Sequence, residues 1–316
     1  MGSPQASVAE QRPRRLRTAD LRTMILFTNA KAGTHDAQTL DRVAALLRDA
    51  GRDVTVCPCV APDDLDEALD RDRKAVVVAA GGDGSINRLV STLHRRGELD
   101  RTVGLLPMGT GNDLARNLGI PLDPDEAVRL LLDGGHRELD MVVDEDGRVT
   151  LNAVHVGIGA SAAESATRFK RTLKVAAFPL GAVIAGLRHS GWRLRAEADG
   201  ELVAEGKFLM AALSNAPGIA GGSAQLALDA HPGDGKMELV VSAATGPFAR
   251  IAYALRLRDG SHRHRDDVLH VTARKVTISG EEFRSNSDGE VSGPYTSRTW
   301  TLHPGAWRLI APPRPA

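Results

Sequence analysis

The chain has 316 residues, of which 42% are hydrophobic and 25% are charged, and it carries 40 basic (Lys+Arg) and 40 acidic residues. This composition is typical of a globular protein with one large domain or two ordinary ones. A formal net charge of zero and an aromatic content of 3% argue against a nucleic-acid-binding protein with a broad basic or base-stacking surface.

The first 22 residues are polar and basic, and they lack the apolar core of a signal peptide. We therefore expect a disordered arm over residues 1–22. Its arginines could contact anionic lipid, and a solvated tail is the alternative interpretation. These arginines are Arg12, Arg14, Arg15, Arg17 and Arg22.

Two features favour a cytoplasmic location. The longest apolar run, Val175–Leu187, is short and contains Pro179 and Gly181, so it is not expected to span a bilayer. Cys57 and Cys59 are the only cysteines, and no second Cys or His cluster has zinc-binding spacing, which is typical of thiols in a reducing compartment. We expect a cytoplasmic protein, and peripheral contact with a membrane surface stays open.

Segments with strand and helix patterns alternate in the first half of the chain, which indicates a parallel sheet with right-handed crossovers. The predicted strands are Met24–Thr28, Val54–Val56, Ala75–Ala80 and Val103–Leu106. The predicted helices are Leu40–Ala50, Asp63–Arg71, Ile86–Arg96, Leu114–Leu118 and Asp125–Leu132.

A glycine-rich loop with the sequence Gly-Gly-Asp-Gly-Ser-Ile-Asn (residues 81–87) follows the third predicted strand. Its glycines let the backbone turn sharply, and a helix beginning near Ser85 would add the positive end of its dipole. This combination predicts a phosphate-binding loop, with a plain tight turn as the alternative. Phosphates would repel Asp83 unless a metal ion or a proton transfer required it, so Asp83 is a candidate for catalysis or metal contact.

A second strand-to-helix junction lies about one βα unit downstream, with the sequence Pro-Met-Gly-Thr-Gly-Asn-Asp-Leu-Ala-Arg (residues 107–116). Loops at neighbouring strand ends face each other across the crevice in which open α/β sheets bind ligands. Thr110 and Asn112 therefore become candidates for nucleotide contact. The chain contains no P-loop, no dinucleotide-binding Gly-x-Gly-x-x-Gly after a strand, and no Gly-x-Ser-x-Gly elbow.

Alternating, strand-like segments become frequent after Gly135 and predict a second domain of antiparallel sheets. A helical insertion over about residues 160–188 interrupts them, with a charged beginning and an apolar end. It is either a helix pair packed on the sheet or a lid that faces lipid. The predicted strands are Glu138–Val143, Val149–Ile158, Gly191–Ala198, Leu202–Ser214, Met237–Ser242, Val268–Ser279 and Arg298–His303.

Together, the two loop motifs (residues 81–87 and 107–116) resemble those of the diacylglycerol kinase catalytic family, which is related to sphingosine and ceramide kinases and, distantly, to NAD kinases. The resemblance runs from about Met24 to about Pro312. It implies an α/β N-terminal domain with a parallel sheet, like that of NAD kinases and phosphofructokinases, and a mainly antiparallel β-sandwich second domain. The implied nucleotide-binding domain is 23–135 plus about 304–316, and the β-rich acceptor domain is 136–303.

The resemblance also assigns residues to the binding of ATP. The family usually has Asn-Pro-x-Ser-Gly after its first strand, and this chain keeps Asn29 and Gly33 but loses the Pro and the Ser, with Lys31 as a candidate charge near the phosphates. Asn215 matches a family position near the active cleft, and the end of a strand is the alternative. The implied nucleotide-binding residues are Asn29, Gly81, Gly82, Asp83, Gly84, Ser85, Ile86, Asn87, Thr110 and Asn112.

Phosphoryl transfer needs a base or orienting group for the attacking hydroxyl. The sequence Ser-Asp-Gly-Glu at 287–290 resembles the family's Asp-Gly-Glu, whose Glu acts as the general base, so Glu290 and Asp83 are the implied catalytic residues. An ordinary hairpin turn is the alternative for this segment, because Asp-Gly is a strong turn signal.

A magnesium site is implied by the resemblance of another segment to the same family, the loop His-Pro-Gly-Asp-Gly-Lys at 231–236. It is similar to a family loop that holds a structural Mg²⁺ through one Asp side chain and backbone carbonyls. Asp234 would supply the side chain, and His231 and Lys236 the carbonyls. Gly233 stands where many members have an Asp that joins the catalytic magnesium network. Because of this departure, neither that network nor the family's usual substrate can be assumed for this chain.

The resulting hypothesis is an ATP- and Mg²⁺-dependent kinase that phosphorylates a hydroxyl of diacylglycerol or a related lipid. Two alternatives stay open: a kinase of the same fold that acts on a soluble alcohol or specialised metabolite, and a nucleotide-binding protein without turnover. An NAD kinase is disfavoured, because Leu151-Asn152-Ala153 lacks the Glu of that family's Asn-Glu pair. The expected partners are ATP and the acceptor, in phospholipid metabolism, and a homodimer stays open.

Overall fold

The computed structural model describes residues 14–15, 21–29, 34–59, 61, 63–133, 135–157 and 191–314, with the backbone alone for 14–15, 29 and 34–36. The insertion predicted over about 160–188 lies outside the described residues, as does most of the predicted arm, 1–22. Within that arm, Arg14–Arg15 pair antiparallel with residues 135–136, and Leu21 is buried. No helix in these described ranges combines the length and apolar character needed to span a bilayer.

The first half of the chain alternates strands and helices. Its strands are β1 (Arg14–Arg15), β2 (Thr23–Asn29), β3 (Asp53–Cys59), β4 (Val76–Gly81) and β5 (Thr102–Pro107). Its helices are α1 (Thr34–Asp49), α2 (Asp64–Arg71), α3 (Asp83–Arg96), α4 (Asp113–Leu118) and α5 (Pro124–Asp133).

The second half is mostly strand. Its strands are β6 (Gly135–Asp144), β7 (Val149–Thr150), β8 (Ala153–Gly157), β9 (Trp192–Ala198), β10 (Glu201–Phe208), β11 (Met210–Ser214), β12 (Gly218–Ile219), β13 (Ala224–Gln225), β14 (Met237–Ser242), β15 (Val268–Ala273), β16 (Lys275–Ser287) and β17 (Glu290–Ile310). A helix, α6 (Pro247–Arg256), and a 3₁₀ turn (Ser261–His264) lie between β14 and β15.

The N-terminal sheet is parallel, with β3, β2, β4 and β5 side by side. Its strands are apolar because both faces are covered. One face packs against α2, α3 and α4, and the other packs against α1 and α5. The carboxyl ends of β4 and β5 are neighbours, since Gly81 pairs with Pro107, and this register brings the two predicted loops together.

The C-terminal half is antiparallel, with the strand order β15, β14, β11, β8, β16 and β17. The β9–β10 hairpin pairs with β16 and folds over the sheet, so that inward-facing side chains form a single apolar core. Parallel strands in the first half and an antiparallel sandwich in the second confirm the predicted fold class.

Strand β17 joins the two halves. It has 21 residues and pairs antiparallel with β16 near its start, then with β6, and finally parallel with β5 at Arg308–Leu309. Because one strand belongs to both sheets, the position of its first residue, Glu290, is tied to the parallel sheet through continuous backbone.

Several predicted elements differ from the observed ones. The predicted strands 149–158, 202–214 and 268–279 are each divided in two. The breaks fall at Leu151–Asn152, Leu209 and Arg274, where the chain bends between consecutive strands. The sequence analysis did not predict α6, although Pro247 at its first turn after Gly246 is a helix-start signal.

Arg298 on β17 supports the junction, because its guanidinium lies 2.7 Å from the Asp144 carboxylate and both side chains are buried. We predict that Arg298→Leu lowers the free energy of unfolding by about 3 kcal/mol, since it leaves a buried carboxylate without its cation. Urea unfolding measures this change. Arg195→Leu is the control: its pair with Glu197 is exposed, and we expect a loss below about 1 kcal/mol. Equal losses would contradict the prediction.

Candidate active site

The two glycine-rich loops are in close backbone contact at Gly82 and Gly109. A Cβ added to Gly82 would lie 3.1 Å from the Cα of Gly109, and one added to Gly109 would overlap the Cα of Gly82. The Met108 N–H donates to the Gly81 carbonyl at 3.0 Å and fixes the register of the contact. Any side chain at Gly109 would therefore separate the loops, so the crevice predicted from the sequence depends on this glycine.

Asn112 shapes the second loop. It adopts a left-handed conformation (φ 52°), its Oδ1 accepts the Gly109 N–H at 3.0 Å, and its Nδ2 donates to the Gly109 carbonyl at 2.7 Å. The side chain is buried by these bonds. Its amide thus closes the loop on itself and leaves Thr110 exposed at the tip.

Asp83 links the first loop to helix α4. Its two carboxylate oxygens accept the N–H groups of Asp113 and Leu114, each at 3.0 Å. These are first-turn amides, where the helix dipole favours a negative charge. Asp83 therefore performs a structural task in this conformation, in addition to any role with phosphates.

Asp113, which the sequence analysis did not select, extends this link to the second half. Its Oδ1 accepts the N–H groups of Gly221 and Gly222 at 2.7 and 3.2 Å. Residues 220–222 all have positive φ, so successive N–H groups point at one acceptor. Burial, together with the neighbouring charge of Asp83, raises the pKa of Asp113. The two carboxylates therefore form an adjacent acidic pair at the loop contact.

Asp288 fixes the turn that carries Glu290. Its carboxylate accepts the N–H groups of Leu151, Asn152 and Ala153 at 2.6, 3.0 and 3.1 Å, and the Nδ2 of Asn87 at 3.0 Å. Burial raises its pKa to about 6, against the lowering effect of these N–H donors. The turn is therefore held from both halves of the chain.

Glu290 is exposed at the start of β17, where it pairs with Ser287. Asn87, which holds the neighbouring Asp288, lies on α3 one helical turn after Asp83, at the spacing that shares a helix face. The structure thus docks the Glu290 turn against the helix that begins with the first glycine-rich loop. The sequence predicted the turn and the role of Glu290, but not the anchoring role of Asp288, which depends on contacts between residues 135 or more positions apart.

Asn215 lies at the base of this network. Its side chain is buried, and its Nδ2 donates to the carbonyls of Asp140 and Leu151 at 3.2 and 2.8 Å. Its Oδ1 has no hydrogen-bond partner among the described residues. The side chain bridges β6 to the segment that binds Asp288, so it connects two parts of the site.

The remaining predicted nucleotide contacts occupy different environments. Ser85 lies against Gly81, where a Cβ would overlap its hydroxyl, and the Ile86 side chain is fully buried in the core, so its backbone alone is near the loop. Asn29 ends β2, but its side chain, together with Lys31, lies outside the described residues.

The loop 231–236, predicted to bind a structural metal ion, is held by backbone hydrogen bonds. The His231 carbonyl accepts the N–H groups of Gly233 and Asp234 at 2.7 and 3.2 Å. Asp234 Oδ1 accepts the Lys236 N–H at 3.1 Å, and burial raises the pKa of Asp234. Asp140, another residue that the sequence analysis did not select, accepts the Gly235 N–H at 2.8 Å.

These hydrogen bonds determine which oxygen atoms of the loop are free to bind that ion. The two N–H groups already use the lone pairs of the His231 carbonyl, and Asp234 keeps one oxygen outside its hydrogen bond. Asp234 and the loop carbonyls would therefore supply only part of the six or more oxygens that a hard cation takes, and water would supply the rest. Among the described residues, no group of three or more His, Cys, Asp and Glu side chains converges as a metal cluster.

Both halves of the chain match known protein families. Residues 23–143 match the family model of the diacylglycerol kinase catalytic domain, and residues 152–311 match that of the YegS C-terminal NAD kinase beta sandwich-like domain. A protein named probable lipid kinase YegS from Salmonella gallinarum is 29% identical over 93% of this chain and 98% of its own length. Its namesake from Escherichia fergusonii is 31% identical over 70% of this chain and 74% of its own length.

A solved structure of a putative diacylglycerol kinase from Bacillus anthracis superposes with a TM-score of 0.74 at 21% identity, over 92% of this chain and 98% of the other. At this identity the likeness shows a shared fold. The fold predicted from the loop motifs and the observed one therefore agree with an independent structure.

We predict that Gly109→Ala destabilises the protein by about 1–3 kcal/mol, because its Cβ would force the two loops apart. Gly84→Ala is a matched control in the neighbouring loop: a Cβ there meets nothing within 4 Å, and the residue lies in α3. We expect this control to be neutral or to stabilise by about 0.5–1 kcal/mol. Urea unfolding compares the two, and equal stabilities would disprove the close contact.

Asp288 predicts a pH effect. Its pKa rises from an ordinary value of 3.8 to about 6, so the folded state holds a proton that the unfolded state has released between these values. The contribution of Asp288 to stability is complete below the lower value and is lost as the pH rises through the upper one. The free energy of unfolding of the wild type, minus that of Asp288→Asn, should therefore be larger at about pH 4.5 than at about pH 7.5. A difference that grows with pH would mean that the four N–H donors lower this pKa instead.

Proposed function

This chain belongs to the diacylglycerol kinase catalytic family, and we propose that it transfers the terminal phosphoryl group of ATP to a hydroxyl of a lipid, with diacylglycerol as the first candidate acceptor. One observation carries the proposal: the Asp288 bond to Asn87 docks the turn bearing Glu290 on the helix that follows the first glycine-rich loop. The names of the relatives agree with a lipid acceptor.

The donor phosphates would lie on the first glycine-rich loop and the first turn of α3. This helix has 14 residues and begins at Asp83, so its unpaired N–H groups and its dipole favour an anion at that end. Thr110, exposed at the tip of the touching loop, would donate a hydroxyl from the other side. The closeness of the loops supports a shared role in holding one polyphosphate.

Nucleotide-bound magnesium would lie at the acidic pair, apart from the ion expected at the loop 231–236. Mg²⁺ with a nucleotide is held by one or two carboxylates and by the phosphates themselves, and Asp83 and Asp113 supply neighbouring carboxylates. When bound, the cation would neutralise phosphate charge. The chain's own contribution there is to hold the two carboxylates in place through the N–H groups of α4 and of residues 220–222.

Glu290 would accept the proton of the attacking hydroxyl. A hydroxyl is a weak nucleophile until its proton has an acceptor within hydrogen-bond reach, and a positioned carboxylate contributes a factor of about 10²–10⁴ in rate. The Glu290 side chain is exposed and has no hydrogen-bond or ion-pair partner among the described residues, so it is available to a substrate. Its turn is rigidly placed by Asp288, which favours orientation as well as proton transfer.

A soluble alcohol remains the second candidate acceptor, and Gly233 is the observation that favours it. A Cβ at this position would lie 3.2 Å from the Glu138 carbonyl, so the local backbone is fitted to glycine. The acid that many family members carry here is not accommodated without a shift. A panel of lipids and small alcohols with labelled ATP distinguishes the two acceptors, and ATP binding without transfer would indicate a protein that lacks turnover.

We predict that Glu290→Gln lowers kcat by about two to four decades, because the amide cannot accept the proton, while ATP affinity changes little. Transfer of labelled phosphate to diacylglycerol measures kcat, and calorimetric titration measures ATP binding. Glu282→Gln is the control, since Glu282 is also an exposed acid and lies on β16. Equal turnover of the Glu290 variant and wild type would remove Glu290 from the reaction.

A further inference from the structure

Helix α6 is fixed to the C-terminal sheet by its inner face. Tyr253 is buried, its hydroxyl donates to Met210 Sδ at 3.6 Å, and its ring meets the edge of the His262 ring at 5.4 Å. Burial also raises the pKa of the Tyr253 hydroxyl, in line with an apolar contact. The helix is therefore a firmly attached element, and its outer face is determined by this packing.

The outer face is apolar. Phe248, Ile251 and Leu255 are 85%, 41% and 71% exposed, and their spacing of three and four residues places them on one stripe. Phe248 and Leu255 are the two most exposed large hydrophobic residues in the described part of the chain. Single exposed apolar residues are ordinary, but a contiguous stripe on one helix indicates a surface that another body covers.

The stripe is bordered by positive charge. Residues 247–258 contain Arg250, Arg256 and Arg258 and no acidic residue, although the whole chain has no net charge. Arg256 is the last residue of α6, and Arg258 lies just beyond the helix end. Both are exposed, and neither forms a salt bridge with a described residue. The next acid, Asp259, accepts the Ser261 N–H, and hydrogen bonding to Ser261 together with the nearby charge of Arg256 lowers the pKa of Asp259.

We propose that Phe248, Ile251, Leu255, Arg256 and Arg258, here called the α6 surface, dock this protein on an anionic lipid bilayer. A helix that lies in the plane of a membrane interface buries an apolar stripe and places cationic side chains at the lipid headgroups, and the exposed arginines at the end of α6 suit the second task. A second copy fits less well, because residues 247–258 contain no acidic residue that could pair with these arginines across a twofold contact. The choice of a lipid partner rests on the proposed lipid kinase function.

The test is sedimentation of the full-length protein with vesicles of phosphatidylcholine containing about one part in four of phosphatidylglycerol. The double variant Phe248→Ser/Leu255→Ser should lower the partition coefficient at least about tenfold. Arg256→Gln/Arg258→Gln should weaken binding to these vesicles about tenfold, should not change binding to pure phosphatidylcholine, and should have little effect at high salt. Leu122→Ser/Leu202→Ser is the control, because these leucines are exposed elsewhere, and it should bind like wild type.

Activity measurements distinguish a role of the α6 surface in membrane docking from a role in the phosphoryl transfer itself. The Phe248→Ser/Leu255→Ser variant should phosphorylate a short-chain diacylglycerol in free solution like wild type, and should lose most of its activity toward diacylglycerol in vesicles. Vesicle binding equal to that of wild type, or loss of a dimer with unchanged vesicle binding, would overturn the inference. Wild type that binds vesicles but phosphorylates no lipid would refute the proposed function and leave the docking surface standing.

Discussion

Contact between two backbones, at Gly82 and Gly109, is the constraint on which the site depends. Parallel pairing of β4 with β5 delivers both loops to the same sheet edge, but the absence of side chains lets them touch. The contact places the first turn of α4 beside Asp83, whose carboxylate then joins the two helices. A phosphate chain laid across such a junction would meet N–H groups from loops that cannot move independently.

Carboxylates bound to backbone N–H groups extend this arrangement across the chain. Asp83 holds α4, Asp113 holds residues 220–222, and Asp288 holds residues 151–153 together with Asn87. Each of these carboxylates accepts two or more N–H groups. Removing one carboxylate would therefore leave its N–H donors without a hydrogen-bond acceptor. Together with the shared strand β17, these bonds make the two halves one mechanical unit around the proposed cleft.

The first half of this fold was predictable because its signals are local. A fully apolar strand, a glycine-rich loop and an amphipathic helix are written in consecutive residues, and β4 and α3 end within a few residues of their predicted bounds. The sandwich was predictable as a class, but its strand divisions were not, since turns at Leu209 and Arg274 follow from pairing with distant strands. The roles of Asp140 and Asp288 had no local signal either, because their partners are distant in sequence.

The acidic residues of the site differ in whether their carboxylate oxygens are free to bind a substrate. Asp83, Asp113 and Asp288 already accept two or more N–H groups each, so their carboxylate oxygens are largely engaged within the protein. Such groups suit fixed tasks, namely holding loops in place or meeting a cation. Glu290 is exposed on a turn that those fixed groups position, so its lone pairs are open to a substrate proton. The proposed general base is therefore the acid of the site that contributes least to its structure.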